Sequence, residues 1–279
     1  MRWQGGRQGG NVEDRRGLGG RAAGGGIGVV VIALIGYFVF GIDPTTTQQV
    51  ASQLGGAGAA EQGKLGTPSD QAGAFVDVIG ANLNDVWTTK LQGYTPPKVV
   101  IYEQGTPTGC GFGQSAMGPF YCPADATVYV DLGFWTDMET KLGASGADFA
   151  RAYVIAHEFG HHVQSLTGVS QKVAQAREVS EAEGNRASVA LELQADCYAG
   201  VWAASASAAS GGKVALESGD LEEGLKTANA IGDDVLQKRS TGQVTPEKFT
   251  HGSSAQRVEW LQRGYTSGDP TRCETFAAR

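Results

Sequence analysis

Three of the four histidines in this 279-residue chain fall in one stretch, Ala156-His157-Glu158-Phe159-Gly160-His161-His162-Val163. Side chains four apart on an α-helix return to within about 40° of each other, one turn on. His157 and His161 can therefore bring two imidazoles to one metal ion. Glu158 sits beside the first of them, where a carboxylate can take a proton from a metal-activated water without itself ligating. The chemistry this spacing predicts is metal-assisted hydrolysis. His162 lies five positions after His157, about 140° round the same helix, and is expected to pack rather than coordinate. Chance occurrence of so short a pattern is the competing explanation, and a third ligand elsewhere in the chain is what would discriminate.

A catalytic zinc takes three protein ligands and leaves a fourth position for water. The segment from about Arg186 to Ser207 reads as a helix and carries Glu192-Leu193-Gln194-Ala195-Asp196. Glu192 and Asp196 are again four apart. Glu192 would complete a site of two histidines and one carboxylate, and Asp196 would accept the outer N–H of a ligand histidine and fix its tautomer. A solvent-exposed acidic pair is the alternative. Against it, the surrounding Ala187, Val189, Ala190, Leu191, Leu193, Tyr198, Val201 and Trp202 are mostly apolar, and carboxylates on a buried helix need partners. One Zn²⁺ suits this ligand set best.

The elements that must position these residues follow from periodicity. Asp148 to Leu166 reads as the helix bearing the two histidines, with Asp148 as N-cap, Phe149, Tyr153, Ala156, Gly160 and Val163 as packing face, and Gly168 as terminator. Asp70 to Leu91 has apolar residues at spacings of three and four and reads as the first core helix. Lys98 to Tyr102 and Ala126 to Leu132 read as strands. The second is expected either to edge the cleft and pair with substrate, or to be ordinary sheet. Phe134 to Leu142 reads as a short helix and Gln256 to Leu261 as part of a last one. Gln171 to Asn185 is either a solvent-facing helix or a lid. The four cysteines form no C-x-x-C, which argues against a zinc ribbon, and they allow three disulfide connectivities. Cys110 with Cys122, closing the glycine-rich loop Gly105 to Pro123, and Cys197 with Cys273, tying the tail to the Glu192 helix, are the favoured pairs. The expected fold class is α+β, helix-dominated, with a small sheet.

The first seventy residues read differently. Residues 1–21 hold Arg2, Arg7, Arg15, Arg16 and Arg21 with many glycines, a composition expected to stay disordered. Residues 22–42 are 21 positions without a charge, about 30 Å as a helix and so one bilayer core. They are expected to form one uncleaved transmembrane helix rather than a signal peptide or a buried soluble helix. Residues 43–69 read as a flexible linker, and 70–279 as the folded domain. The arginines precede the span and no base follows until Lys64, so the positive-inside rule places the N-terminus in the cytoplasm and the domain outside the cell membrane. The first 21 residues carry +3 against −7 for the whole chain, so the remainder carries −10. That charge disfavours nucleic acid or an anionic lipid surface as a partner of the domain.

His157-Glu158-Phe159-Gly160-His161 followed by Glu192-x-x-Ala195-Asp196 resembles the gluzincin pattern. With Gly118-Pro119-Phe120-Tyr121-Cys122-Pro123 and Thr250-His251-Gly252-Ser253-Ser254, it is similar to a bacterial family of predicted neutral zinc metallopeptidases with a single N-terminal anchor. The resemblance implies a zincin-like domain, a peptide or protein substrate, and zinc that polarises the scissile carbonyl and acidifies water while Glu158 moves the proton. It also implies a hydrogen bond from His251 to the developing oxyanion, a structural contact being the alternative. Two other functions compete: a metal-stabilised scaffold or binding module at the cell envelope, and a zinc hydrolase of a non-peptide amide. A base beside the first histidine is of no use to the scaffold. Nothing in the sequence fixes the oligomeric state.

Overall fold

Apolar residues at helical spacing produce a long first helix, α1 (Gln71–Lys90), opened by Asp70, whose side chain accepts the Gly73 N–H at 3.0 Å. The chain is described here by a computed structural model over residues 1–17 and 63–276. The stretch 22–42, read above as a membrane span, and the linker residues 43–62 lie outside the described residues. Among the described residues no helix is long and apolar enough to cross a membrane.

Five strands form one sheet in the order β2-β1-β3-β7-β6: β1 (Val12–Asp14), β2 (Lys64–Gly66), β3 (Lys98–Tyr102), β6 (Phe120–Cys122) and β7 (Thr127–Asp131). The β1–β3 and β3–β7 pairs are parallel, the β1–β2 and β6–β7 pairs antiparallel. A separate hairpin, β4 (Gly105–Thr108) with β5 (Gly111–Gln114), occupies the glycine-rich loop. Helices α2 (Phe134–Thr140), α3 (Asp148–Leu166), α4 (Ser170–Val179), α5 (Glu181–Ala209), α6 (Asp220–Ala230), α7 (Asp233–Thr241) and α8 (Ser254–Ser267) complete the described fold. This is the helix-rich α+β class with a small sheet that periodicity predicts.

Three expectations are corrected. Residues 1–17 are not a disordered tail. Trp3 and Val12 are buried, the Trp3 indole N–H donates to Asp148 Oδ2 at 2.8 Å, and Val12, Glu13 and Asp14 pair in parallel with Val99, Val100 and Ile101. A glycine-rich composition offers little apolar surface of its own, but here it borrows a core built by residues far along the chain. The linker ends earlier than predicted, because Lys64–Gly66 is strand β2. Asp148 is the first residue of α3 rather than its cap, and its carboxylate is engaged by Trp3.

The core lies between the sheet and helices α1, α3 and α5, with Trp87, Phe149, Tyr153, Phe159 and Trp202 fully buried. Polar clamps fix the helices against each other. Asn82 on α1 accepts the Trp202 indole N–H at 2.8 Å and donates to the Ala206 carbonyl at 3.1 Å. At the α3–α5 crossing a Cβ on Gly160 would stand only 3.1 Å from the Ala195 Cα, so a glycine lets the two site-bearing helices approach. Both favoured disulfides are present, Cys110–Cys122 and Cys197–Cys273. The segment 171–185 resolves into α4 and the start of α5, joined through Ser180, whose side chain caps α5 on the Glu183 N–H.

Candidate metal centre

Helix α3 places His157 and His161 one turn apart with their ring centroids 4.7 Å from each other. The α3–α5 crossing at Gly160 and Ala195 then brings Glu192 between them, at 3.0 Å from His157 Nε2 and 3.4 Å from His161 Nε2. One ligand atom from each of the three residues lies within 4.8 Å of the others.

Each histidine is anchored through its other ring nitrogen. His157 Nδ1 donates to Asp196 Oδ1 at 2.8 Å, as the i, i+4 spacing of Glu192 and Asp196 predicts. His161 Nδ1 donates to Gln164 Oε1 at 2.8 Å. The Gln164 amide nitrogen is committed to the Leu191 carbonyl at 2.7 Å and to Gln194 Oε1 at 3.1 Å, so its oxygen must face the imidazole. With both Nδ1 protons held, both Nε2 lone pairs point at the space beside Glu192. That donor set fits zinc, with two neutral imidazoles and a carboxylate converging.

Asp196 is fully buried and satisfied by four hydrogen bonds. Besides His157 it accepts Tyr153 Oη–H at 2.6 Å, and from Arg257 on α8 both Nε at 2.8 Å and Nη2 at 2.9 Å. Burial opposes its charge, but Arg257 and His157 outweigh it and hold the carboxyl at about 2. Burial likewise disfavours a charged His157, yet Asp196 and Glu192 raise it to about 10. The pocket thus favours a positive charge at that nitrogen, which a cation can supply in place of a proton.

Glu158 behaves differently from Glu192. Its side chain is buried, and burial raises it to about 7, against lowering by His157 and by a hydrogen bond from the Tyr121 backbone N–H. Glu192 is held well below the usual carboxylate range, because His161, His157 and His251 outweigh its burial. Two adjacent acids therefore differ in proton affinity, a separation that suits a ligand and a base.

His251 stands at the same cleft, near enough to Glu192 for each to perturb the other's charge. Its loop is organised by the buried Asp233, whose Oδ2 accepts the backbone N–H groups of Thr250, His251 and Gly252 at 2.8, 2.7 and 3.0 Å. Asp233 Oδ1 lies 3.3 Å from His251 Nδ1. His162 packs away from the site, with Nε2 2.6 Å from the Thr95 carbonyl and Nδ1 3.2 Å from the Tyr121 hydroxyl.

Of the two readings of the strand at Ala126 to Leu132, the structure favours ordinary sheet. β7 lies inside the sheet between β3 and β6, so its backbone groups are already paired. Among the described residues the sheet ends on this side at β6, a three-residue strand with no alternation to read.

Sequence reasoning missed Arg257, Gln164, Asp233 and the Tyr121 N–H. Gln164 carried a local signal, being three residues after His161 on the same helix. Arg257 and Asp233 carried none.

Residues 1–276 match a protein family described as "Putative neutral zinc metallopeptidase". Similar curated proteins include the "Uncharacterized protein YpfJ" of Escherichia coli (strain K12), 48% identical over 296 residues and covering 99% of each chain. The "Uncharacterized protein Rv2575" of Mycobacterium tuberculosis (strain ATCC 25618 / H37Rv) is 45% identical over 209 residues, 73% of this chain and 70% of that one. No solved structure matches the chain.

Proposed function

This chain belongs to that neutral zinc metallopeptidase family, and from that premise we propose that it is a zinc-dependent endopeptidase. The observation that carries the reading is the convergence of His157, His161 and Glu192 within 4.8 Å beside a separate, buried Glu158. A structural zinc site would fill its fourth position with protein and would have no use for that base.

His157, His161 and Glu192 would hold the ion, and Asp196 and Gln164 would keep the two imidazoles turned toward it. Bound zinc supplies a Lewis acid for the scissile carbonyl and lowers the pKa of water. Glu158 takes the proton from the attacking water and returns it to the leaving nitrogen, a transfer suited to a group near pH 7. His251, whose loop Asp233 organises, would donate a hydrogen bond to the carbonyl oxygen as charge develops there.

An extended substrate would lie along the open edge of β6. Tyr121 on that strand perturbs the charge of Glu158, so the base stands beside the edge. A peptide adding antiparallel there would have its backbone within reach of the base. The two disulfides support an oxidising location outside the cytoplasm, and the uncharged stretch 22–42 supports attachment to the cell membrane.

The test is Glu158→Gln, which keeps size and hydrogen bonding while removing the basic oxygen. Zinc content and melting temperature should stay near wild type while turnover of a cleaved peptide falls by about 10² to 10⁴. Loss of zinc, or full activity, in that variant would refute the assignment. Product analysis on peptide and non-peptide amides identifies the bond class.

A further inference from the structure

Both flanks of the uncharged stretch belong to one sheet, and we infer that residues 1–17 and 63–276 lie on the same side of the membrane, with the β2 edge of the sheet facing the lipid. The expected single pass, with an N-terminal tail on one side and the domain on the other, is incompatible with this arrangement.

The N-terminal segment is locked into the domain at several points. Trp3 is 5% exposed and stacks edge-on against Phe75 at 5.2 Å. The Gly10 N–H donates to Asp77 at 2.9 Å, and β1 is an interior strand between β2 and β3. Three of the arginines that suggested a cytoplasmic tail are internal ion-pair partners. Arg7 binds Asp85, Arg15 binds Glu13, and Arg16 binds both Asp14 and Asp70. Their clustering has a structural cause, so it is no longer evidence for a topogenic signal.

The chain leaves this edge after Gly17 and is back at Gly63. Asp14 pairs across from Lys64, and the Gly63 N–H donates to Glu13 Oε1 at 2.9 Å. Neighbouring strands lie about 4.8 Å apart, whereas one bilayer crossing separates its ends by about 30 Å. Two crossings would need about 20 further apolar residues for the return. Residues 43–62 do not provide them, since they contain Asp43 and Glu61 among Thr, Gln and Gly. The chain therefore leaves the domain at Gly17 and re-enters it at Gly63 on one side of the bilayer. The bilayer must meet the domain where both ends emerge, at an edge that presents Leu65, 69% exposed, beside exposed Lys64. An apolar side chain next to a cation suits the interface between headgroups and acyl chains.

The experiment uses the full chain in its native cells with single cysteines introduced at two exposed positions, Gln8→Cys and Gln243→Cys. A membrane-impermeant maleimide is applied to spheroplasts before and after lysis, and the chain is fractionated with and without residues 22–42. Both positions should respond alike, both labelled or both protected, and the full chain should sediment with membranes while the deletion variant does not. Labelling of one position with protection of the other until lysis would overturn the inference. So would a full chain that stays soluble, or a deletion variant that remains membrane-bound. None of these readouts depends on peptidase activity, so the membrane assignment and the catalytic one fail separately.

Discussion

Asp196 and Arg257 form a buried ion pair behind the metal ligands, 0% and 4% exposed, and removing either partner strands the other. In Asp196→Asn the guanidinium loses its counter-charge, and the new amide nitrogen cannot accept from whichever Arg257 donor it faces. In Arg257→Met, Asp196 keeps only Tyr153 and His157. Breaking a buried pair from one side costs about 3 to 5 kcal/mol. For a domain of this size that is a fall in Tm of about 6 to 20 °C. The double variant removes both charges, so its loss should fall short of the summed single losses by about 2 to 3 kcal/mol. Denaturant unfolding of all four proteins, each stripped of metal, supplies that cycle. Zinc titration supplies a second reading. Asp196→Asn should weaken binding by about 10- to 100-fold, since it releases the His157 ring. Arg257→Met keeps the carboxylate against His157 and should weaken it less. Additivity within about 0.5 kcal/mol, or equal zinc loss in both single variants, would refute this account of how Asp196 is held.

Four further outcomes follow from the geometry. Glu192→Gln should lose zinc together with activity, in contrast to Glu158→Gln, as metal analysis of the two purified proteins would show. Gly160→Val should cost about 1 to 3 kcal/mol by overpacking, and because it pushes α5 and Glu192 away from α3 it should also reduce zinc affinity. Replacing Cys197 and Cys273 with serine should cost about 2 to 5 kcal/mol. It should also loosen His161, because Gln194, which holds Gln164, donates to the Cys273 carbonyl at 2.9 Å. The N-terminal arm should be acid-labile: Arg16 first of all holds Asp70 at about 2, below its usual 3.8, and likewise lowers Asp14, while Arg15 lowers Glu13. Depressed carboxyls stabilise the docked arm fully above their unfolded values and stop doing so as pH falls through the folded ones. Trp3 fluorescence should therefore report docking above about pH 4 and release toward pH 2.

What the sequence determined by itself is what helical periodicity carries. His157 with His161, and Glu192 with Asp196, are pairs on single helices, so a rule about four residues fixes each pair before any tertiary contact exists. The same local logic located α1, α3 and α5, whose apolar faces run for several turns, and it excluded His162 from the site. The cysteine pairs also came within reach, because a closed local loop and a tethered tail were the economical connectivities.

Only the tertiary structure could decide the rest, because the information lies in partners remote along the chain. β6 has three residues, too few to display a period, and its role as the open edge depends on β7 pairing with β3 on its other side. Arg257 meets Asp196 across 61 residues, and Asp233 meets the His251 loop across 18. The first contact is possible because α5 and α8 cross so closely that a Cβ on Gly264 would clash with the Cys197 carbonyl. The N-terminal arm is the clearest case. Read alone it has Trp3, Val12 and little else to bury, too little to offset its ordering entropy. The domain supplies the missing surface, together with Asp85 for Arg7 and Asp70 for Arg16, and those partners lie dozens of positions away.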